Sequence, residues 1–149
     1  MTAVDFDDWA APDLVLTIKG NEYRVPPPCT IDAKKILAAA ALGEIRLGLV
    51  SGEASEEVQR ILTAVRPDDH FALTNRVYEQ MVADRVAKTT IDRMAYYAVF
   101  YWARGKQYAD MVASLMWSGE IALEAAAKAA DELPKAPRSS RPKTGSSTA

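Results

Sequence analysis

Ten consecutive residues, from Met94 to Ala103, carry no charge, and five of them have aromatic rings. The run ends at Arg104, whereas a helix that spans a bilayer needs about 20 mostly apolar residues, so a membrane helix is excluded. At ~100° per residue, the rings point to every side of a helix. Because a helix that is apolar all round is either central or covered at an interface, we predict a central helix. One of its faces would lie in the core and another would seat a partner helix.

A β-hairpin is predicted between residues 14 and 25. Gly20-Asn21 fits a tight turn, and the three prolines of residues 26–28 would stop the strand pairing. A lone hairpin is marginal in water, so we expect it to pack on the rest of the domain. The apolar positions that alternate along its strands are Leu14, Leu16, Ile18, Tyr23 and Val25.

Helical periodicity follows the hairpin. Thr30 is predicted to cap a first helix that continues to about Leu47. A second helix is expected after Ser55, and a third after Asp68 or Asp69. The apolar stripe of the first helix contains small residues that permit close approach of another helix: Ile36, Ala40, Gly43 and Leu47.

The uncharged run is predicted to form a fourth helix, which begins at the capping-box-like pair Thr89 and Asp92 and ends at Gly105. A helical stripe continues to Trp117, and residues 120–133 are strongly helix-prone. The predicted fold class is therefore mainly α, with an N-terminal β-hairpin followed by a small helical bundle and a flexible C-terminal tail.

The chain is predicted to have three parts: an acidic N-terminal arm (1–13), a hairpin plus helical domain (14–133) and a disordered basic Pro/Ser/Thr tail (134–149). The tail has no large apolar side chain, which is typical of disorder. Phe6 and Trp9 are expected to anchor the arm on the body. Because arm and tail are opposite in charge, we expect them to attract each other between copies.

No catalytic or metal-binding residues are predicted. His70 is the only histidine and Cys29 the only cysteine, and no local signature joins them as base and nucleophile. A metal site would need spaced His or Cys partners, and the glycines match neither GxGxxG nor a P-loop. The net charge of -2 gives no reason to expect nucleic acid or an anionic membrane as a partner. We therefore predict a non-enzymatic protein without a cofactor.

A partner-binding surface is predicted on the ring-rich helix and on the stripe that follows it. Tyr, Trp and Met are favoured at interfaces and in adaptable grooves. The alternative for each residue is a place in the core. The two interpretations are compatible, because one face of the helix can lie in the core while the opposite face binds a partner. The residues assigned to this surface are Tyr96, Tyr97, Phe100, Tyr101, Trp102, Met116 and Trp117.

The run PDLVLTIKGNEYRVPPP resembles the opening of tail assembly chaperones from tailed phages infecting actinobacteria. Those proteins begin with an acidic lead, a hairpin with a Gly turn and a Tyr-x-Val-Pro-Pro exit before their helices. The run VYEQMVADRV, the aromatic helix and the Trp-x-x-Gly-Glu ending are similar as well. Family members often have Gly after MVAD. Because Arg85 takes that place here, we expect helix there instead of a turn.

The resemblance implies a chaperone that binds the tape measure protein and keeps it soluble until the tail tube polymerises. Its expected location is the host cell cytoplasm during virion assembly, and not the mature virion. The implied partners are the tape measure protein, a longer frameshifted form of the same protein and further copies of the chain, with no nucleic acid and no membrane. The alternative is a structural adaptor or connector protein retained in the virion. A small enzyme or ligand-binding helical domain is the least favoured class.

Overall fold

The computed structural model describes residues 2–118, and the chain divides into two units, 1–112 and 113–149. Within the described residues, a β-hairpin is followed by helices, which confirms the predicted fold class. The predicted helix over 120–133 and the tail from 134 lie outside the described residues. The elements are β1 Leu14–Ile18, β2 Asn21–Val25, α1 Thr30–Arg46, α2 Glu56–Thr63, α3 Asn75–Ala83, α4 Lys88–Arg104 and α5 Lys106–Ala113, with a π-helical turn at Ser114–Ser118.

The hairpin is antiparallel, and its two-residue loop is Lys19-Gly20. Both loop residues have positive φ (50° and 86°), as a type I′ turn requires. The predicted turn at Gly20-Asn21 is wrong by one residue, because Asn21 pairs with Ile18. A shift of the strand pairing by one residue would turn the apolar side chains of one strand to the solvent side of the hairpin. Because Tyr23 is buried, the observed register is the one that keeps these side chains in the core.

The predicted helix starts are partly correct. Ser55 caps α2 as predicted, because its Oγ accepts a hydrogen bond from the Val58 amide at 3.2 Å. Thr30 is the first residue inside α1 rather than its cap. The capping box predicted at Thr89 is wrong, because α4 has already begun at Lys88 without a side-chain cap.

The third helix begins later than predicted. Thr74 caps α3 by accepting from the Val77 amide at 3.3 Å, with φ at 74°, a conformation that is rare for a β-branched residue. Neither Asp68 nor Asp69 is a cap. Asp69 Oδ2 instead accepts a hydrogen bond from Lys35 Nζ of α1 at 2.5 Å. Because its carboxylate is engaged in this ion pair, Asp69 does not cap the helix.

Helix α3 ends in a Schellman motif, so the expectation that helix continues through Arg85 is wrong. The Arg85 amide donates to the Val82 carbonyl and the Val86 amide donates to the Met81 carbonyl, both at 3.0 Å. Arg85 has φ 61°, the left-handed conformation that glycine usually supplies at this position. The turn therefore forms with arginine in the place of glycine.

The core of the first unit lies where α1 packs on α4. Gly43 makes this contact close, because a Cβ there would lie 2.8 Å from the Tyr96 hydroxyl and 3.0 Å from Phe100 Cζ. The predicted small-residue stripe thus has a packing role at Gly43. The hairpin is held against α3 by the Tyr23 hydroxyl, which donates to Asp84 Oδ2 at 2.7 Å.

Candidate functional site

An open apolar groove lies between the loop 67–73, α3 and the first half of α4. Its volume is ≈ 710 Å³. Leu73, Ile91 and Val99 line the groove and are themselves almost fully buried. Val82 also lines it, and 50% of this residue is exposed. A groove of this size and apolarity suits a ligand or a peptide segment.

One wall of the groove is a pair of stacked rings. His70 and Tyr78 lie with their centroids 3.4 Å apart and their planes 8° from parallel. The His70 amide donates to Asn75 Oδ1 at 2.8 Å, which ties the loop to the start of α3. The two carboxylates of the lining already have cations, since Asp69 pairs with Lys35 and Asp92 with Lys88. The groove therefore offers mainly apolar and aromatic contacts.

Of the predicted partner-binding residues, Tyr96 lines this groove. Its ring is half-buried, 5.3 Å from that of Phe100, and burial raises the pKa of its hydroxyl. Phe100 itself is only 1% exposed, so it belongs to the core and we remove it from the predicted surface. The absence of a side chain at Gly43 makes room for the Phe100 ring against α1.

Three other predicted residues, all half-buried, contact one another or α5. The Tyr97 hydroxyl donates to Asp110 Oδ1 at 2.6 Å, and burial together with this bond raises its pKa. Tyr101 packs edge-on against Trp102 at 4.9 Å. The Trp102 indole nitrogen is buried and has no hydrogen-bond partner in the described part of the chain. These rings do not line the groove.

Met116 and Trp117 lie in the π-helical turn of the second unit and are half-buried. Only residues 113–118 of that unit are described. The prediction that these two residues contact a partner therefore stays a prediction.

A buried ionic network that the sequence analysis missed joins α1, α4 and α5. Glu44 is 7% exposed; it accepts two hydrogen bonds from Arg104, both at 3.0 Å, and one from the Tyr108 hydroxyl at 2.6 Å. The bonds from Arg104 hold the pKa of Glu44 below its ordinary value, against the opposing effect of burial. An acid directly after the buried Gly43, and the only charged residue between Lys35 and Arg46, is the signal that could have revealed this network.

The N-terminal arm presents two exposed rings. Phe6 and Trp9 pack edge to face at 5.2 Å and are 63% and 69% exposed. The amides of Trp9 and Ala10 both donate to the Phe6 carbonyl at 2.9 Å, so a turn holds the rings on one side. The prediction that these rings anchor the arm on the body is therefore wrong.

The described residues contain no group of three or more His, Cys, Asp or Glu side chains placed to hold a metal ion. In the same part of the chain, no helix is both long and apolar enough to cross a membrane. The apolar groove is the candidate binding site in this part of the chain.

The described residues form a small, mainly α-helical protein with an open apolar groove on its surface. Residues 4–149 match the family described as "Domain of unknown function (DUF7426)", and the chain belongs to that family. No curated protein and no solved structure matches the chain.

Proposed function

We propose that this protein is a phage tail assembly chaperone that holds apolar stretches of the tape measure protein until the tail tube polymerises. The observation that carries the proposal is the open groove of ≈ 710 Å³ beside the aromatic helix. An amphipathic client helix can lay its apolar face into such a groove. The resemblance to tail assembly chaperones supplies the identity of the client.

The groove has the chemistry that a transient holder needs. Its floor is apolar, and the rings of Tyr78 and Tyr96 add aromatic contacts that do not demand one client sequence. Its carboxylates are paired within the chain, so a passing apolar segment meets no unpaired anion in the lining. Weak contacts of this kind, repeated along a long client by many copies, add up through multivalency.

The test is co-expression with the tape measure protein, scored by the soluble fraction of that client. We expect the wild-type chain to rescue solubility and Val82→Glu, which places a charge on the groove wall, to lose the rescue. The matched control is Val50→Glu, because Val50 is 48% exposed and Val82 50%, yet Val50 lies outside the groove. Melting curves of both variants check that the fold is retained.

Two results would overturn the proposal. The first is equal rescue of the client by Val82→Glu and by wild type. The second is abundance of the protein in purified virions, measured by mass spectrometry, which would favour the structural adaptor or connector.

A further inference from the structure

We infer that the Phe6–Trp9 pair of one copy occupies the groove of a second copy, so that the chain self-associates head to tail. The inference is independent of the identity of the client, because both contact surfaces belong to this chain. The juxtaposition behind it is an exposed aromatic turn on the arm and an open apolar groove in the domain.

The arm already has a defined turn conformation in the single chain. Two backbone hydrogen bonds to the Phe6 carbonyl set the turn, and the Asp7 amide donates to Asp5 Oδ1 at 3.0 Å. Little ordering is therefore left to be done on binding, which lowers the entropic cost. Two large rings that are more than 60% exposed and contact each other are unusual on a surface that has no partner.

Charge complementarity favours the groove as the acceptor. The arm carries Asp5, Asp7 and Asp8 around its rings and has no basic residue. At the groove edge, the exposed cations Arg85 and Lys88 lie on either side of the lining residue Val86. The carboxylates there, Asp69, Asp84 and Asp92, each already accept a hydrogen bond from a side chain of the same chain. Arg85 forms no ion pair within residues 2–118. Lys88 pairs only with Asp92, in a solvent-exposed contact that an arm carboxylate can share.

A second copy is the occupant because the rings lie outside the groove of their own chain. The strand that follows the arm is connected to the groove edge, because Leu16 of β1 pairs with Tyr23 and the Tyr23 hydroxyl donates to Asp84, between the lining residues Val82 and Val86. Even so, Phe6 and Trp9 remain exposed and are not among its lining residues. An interface between two different patches leads to rings or open chains of copies rather than to a closed two-fold dimer.

The experiment is sedimentation of the full chain from about 1 to about 200 µM, a range that brackets micromolar affinity. We expect the wild-type mass to rise above the 16.3 kDa of one chain as concentration rises. Phe6→Ser/Trp9→Ser, without the rings, and Val82→Glu, with a blocked groove, should each remain monomeric. Val50→Glu should associate as wild type does.

Mixing the two monomeric variants supplies the decisive comparison. The arm variant retains its groove and the groove variant retains its arm, so an equimolar mixture should form a heterodimer and stop there. A mixture that stays monomeric would overturn the inference, as would a wild type that is monomeric throughout. Association of Phe6→Ser/Trp9→Ser at wild-type strength would do the same.

This outcome is separable from that of the chaperone proposal. Arm and client would compete for one groove, so the arm variant, whose groove is intact and empty, should rescue the client at least as well as wild type. Loss of self-association with retained rescue would support both ideas. Rescue lost in Val82→Glu while the wild type is monomeric would support the chaperone alone.

Discussion

At the scale of single residues, two helix ends allow a comparison of the conformational free energy of glycine and of a residue with a side chain in the left-handed conformation. Gly48 follows α1 with φ 78°, and its amide donates to the Ile45 carbonyl at 3.0 Å. Arg85 follows α3 in the equivalent position with φ 61°. Because only glycine adopts this conformation without a Cβ penalty, Arg85 is held there by the turn around it.

Arg85→Gly is therefore expected to stabilise the fold by about 0.5–1 kcal/mol, the left-handed penalty less the entropy of an unfolded glycine. Chemical denaturation followed by circular dichroism measures this change. Gly48→Ala is the opposite control. Nothing lies within 4 Å of a Cβ at Gly48, so a destabilisation there reports conformation alone. An Arg85→Gly variant that is less stable than wild type would contradict the idea that Arg85 adopts an unfavourable left-handed conformation.

Glu44 predicts a dependence of stability on acid pH. Its folded pKa is held below the ordinary value of 4.5 by the bonds from Arg104, so the folded state binds the proton less readily than the unfolded state. The contribution of Glu44 is then complete above pH 4.5 and is lost as the pH falls through the folded pKa.

Glu44→Gln should cost about 1–3 kcal/mol near neutral pH, because Arg104 and Tyr108 lose a charged acceptor. The loss should shrink below pH 4.5, where Glu44 of the unfolded wild type takes up a proton first and Glu44 of the folded state follows at lower pH. Unfolding free energies at several pH values check both statements. Glu22→Gln is the matched control, since the pair of Glu22 with Arg24 is exposed and is expected to contribute little at any pH. A constant cost across the range would show that charge is not the cause.

At the scale of elements, the contact between α1 and α4 depends on the missing side chain at Gly43. Gly43→Ala gains about 1 kcal/mol in helix propensity but places a methyl group 2.8 Å from the Tyr96 hydroxyl and 3.0 Å from Phe100. Overpacking of this kind costs about 1–3 kcal/mol, so we expect net destabilisation of about 1 kcal/mol. Adding Tyr96→Phe removes the closer contact and should recover part of the loss. Thermal melts of the two single variants and the double variant form the test.

Periodicity predicted the existence of the hairpin and the helices, but not all of their ends. Apolar spacing along the chain is enough to predict an element, whereas a helix start depends on which of several polar residues is free to cap it. Asp69 pairs with Lys35, 34 residues away, and Thr74 caps α3 in its place. Long-range pairs of this kind leave no periodic signal.

The candidate site was predicted only in part, for a similar reason. The aromatic helix was correctly assigned a core face, and Tyr96 does line a groove. The other wall, His70 and Tyr78, comes from a loop and a helix whose placement depends on tertiary contacts. Phe100 could not be assigned to the core from sequence, because its burial depends on the packing of α1 against α4.

At the scale of the whole molecule, self-association through the arm should weaken with salt. Exposed ion pairs contribute about 0.2–1 kcal/mol each. Two such pairs between arm and groove rim contribute about 0.4–2 kcal/mol together, so their full screening between about 50 and 500 mM NaCl implies a loss of about twofold to thirtyfold in affinity. Asp7→Asn/Asp8→Asn should flatten this dependence and leave the contact of the rings in place. Sedimentation at both salt concentrations measures it, and equal salt slopes for variant and wild type would argue against the charged rim.

Three hydrogen-bonded pairs of side chains in the domain each span about half of the described chain: Tyr23 to Asp84 spans 61 positions, Glu44 to Arg104 60 and Glu44 to Tyr108 64. During synthesis on the ribosome, the hairpin and α1 emerge well before the residues that complete them. Glu44 then stays hydrated until Arg104 and Tyr108 have been synthesised. Until then, the face of α1 that packs on α4 also stays exposed to solvent. The nascent chain thus passes through a stage in which its own apolar surface is exposed to solvent.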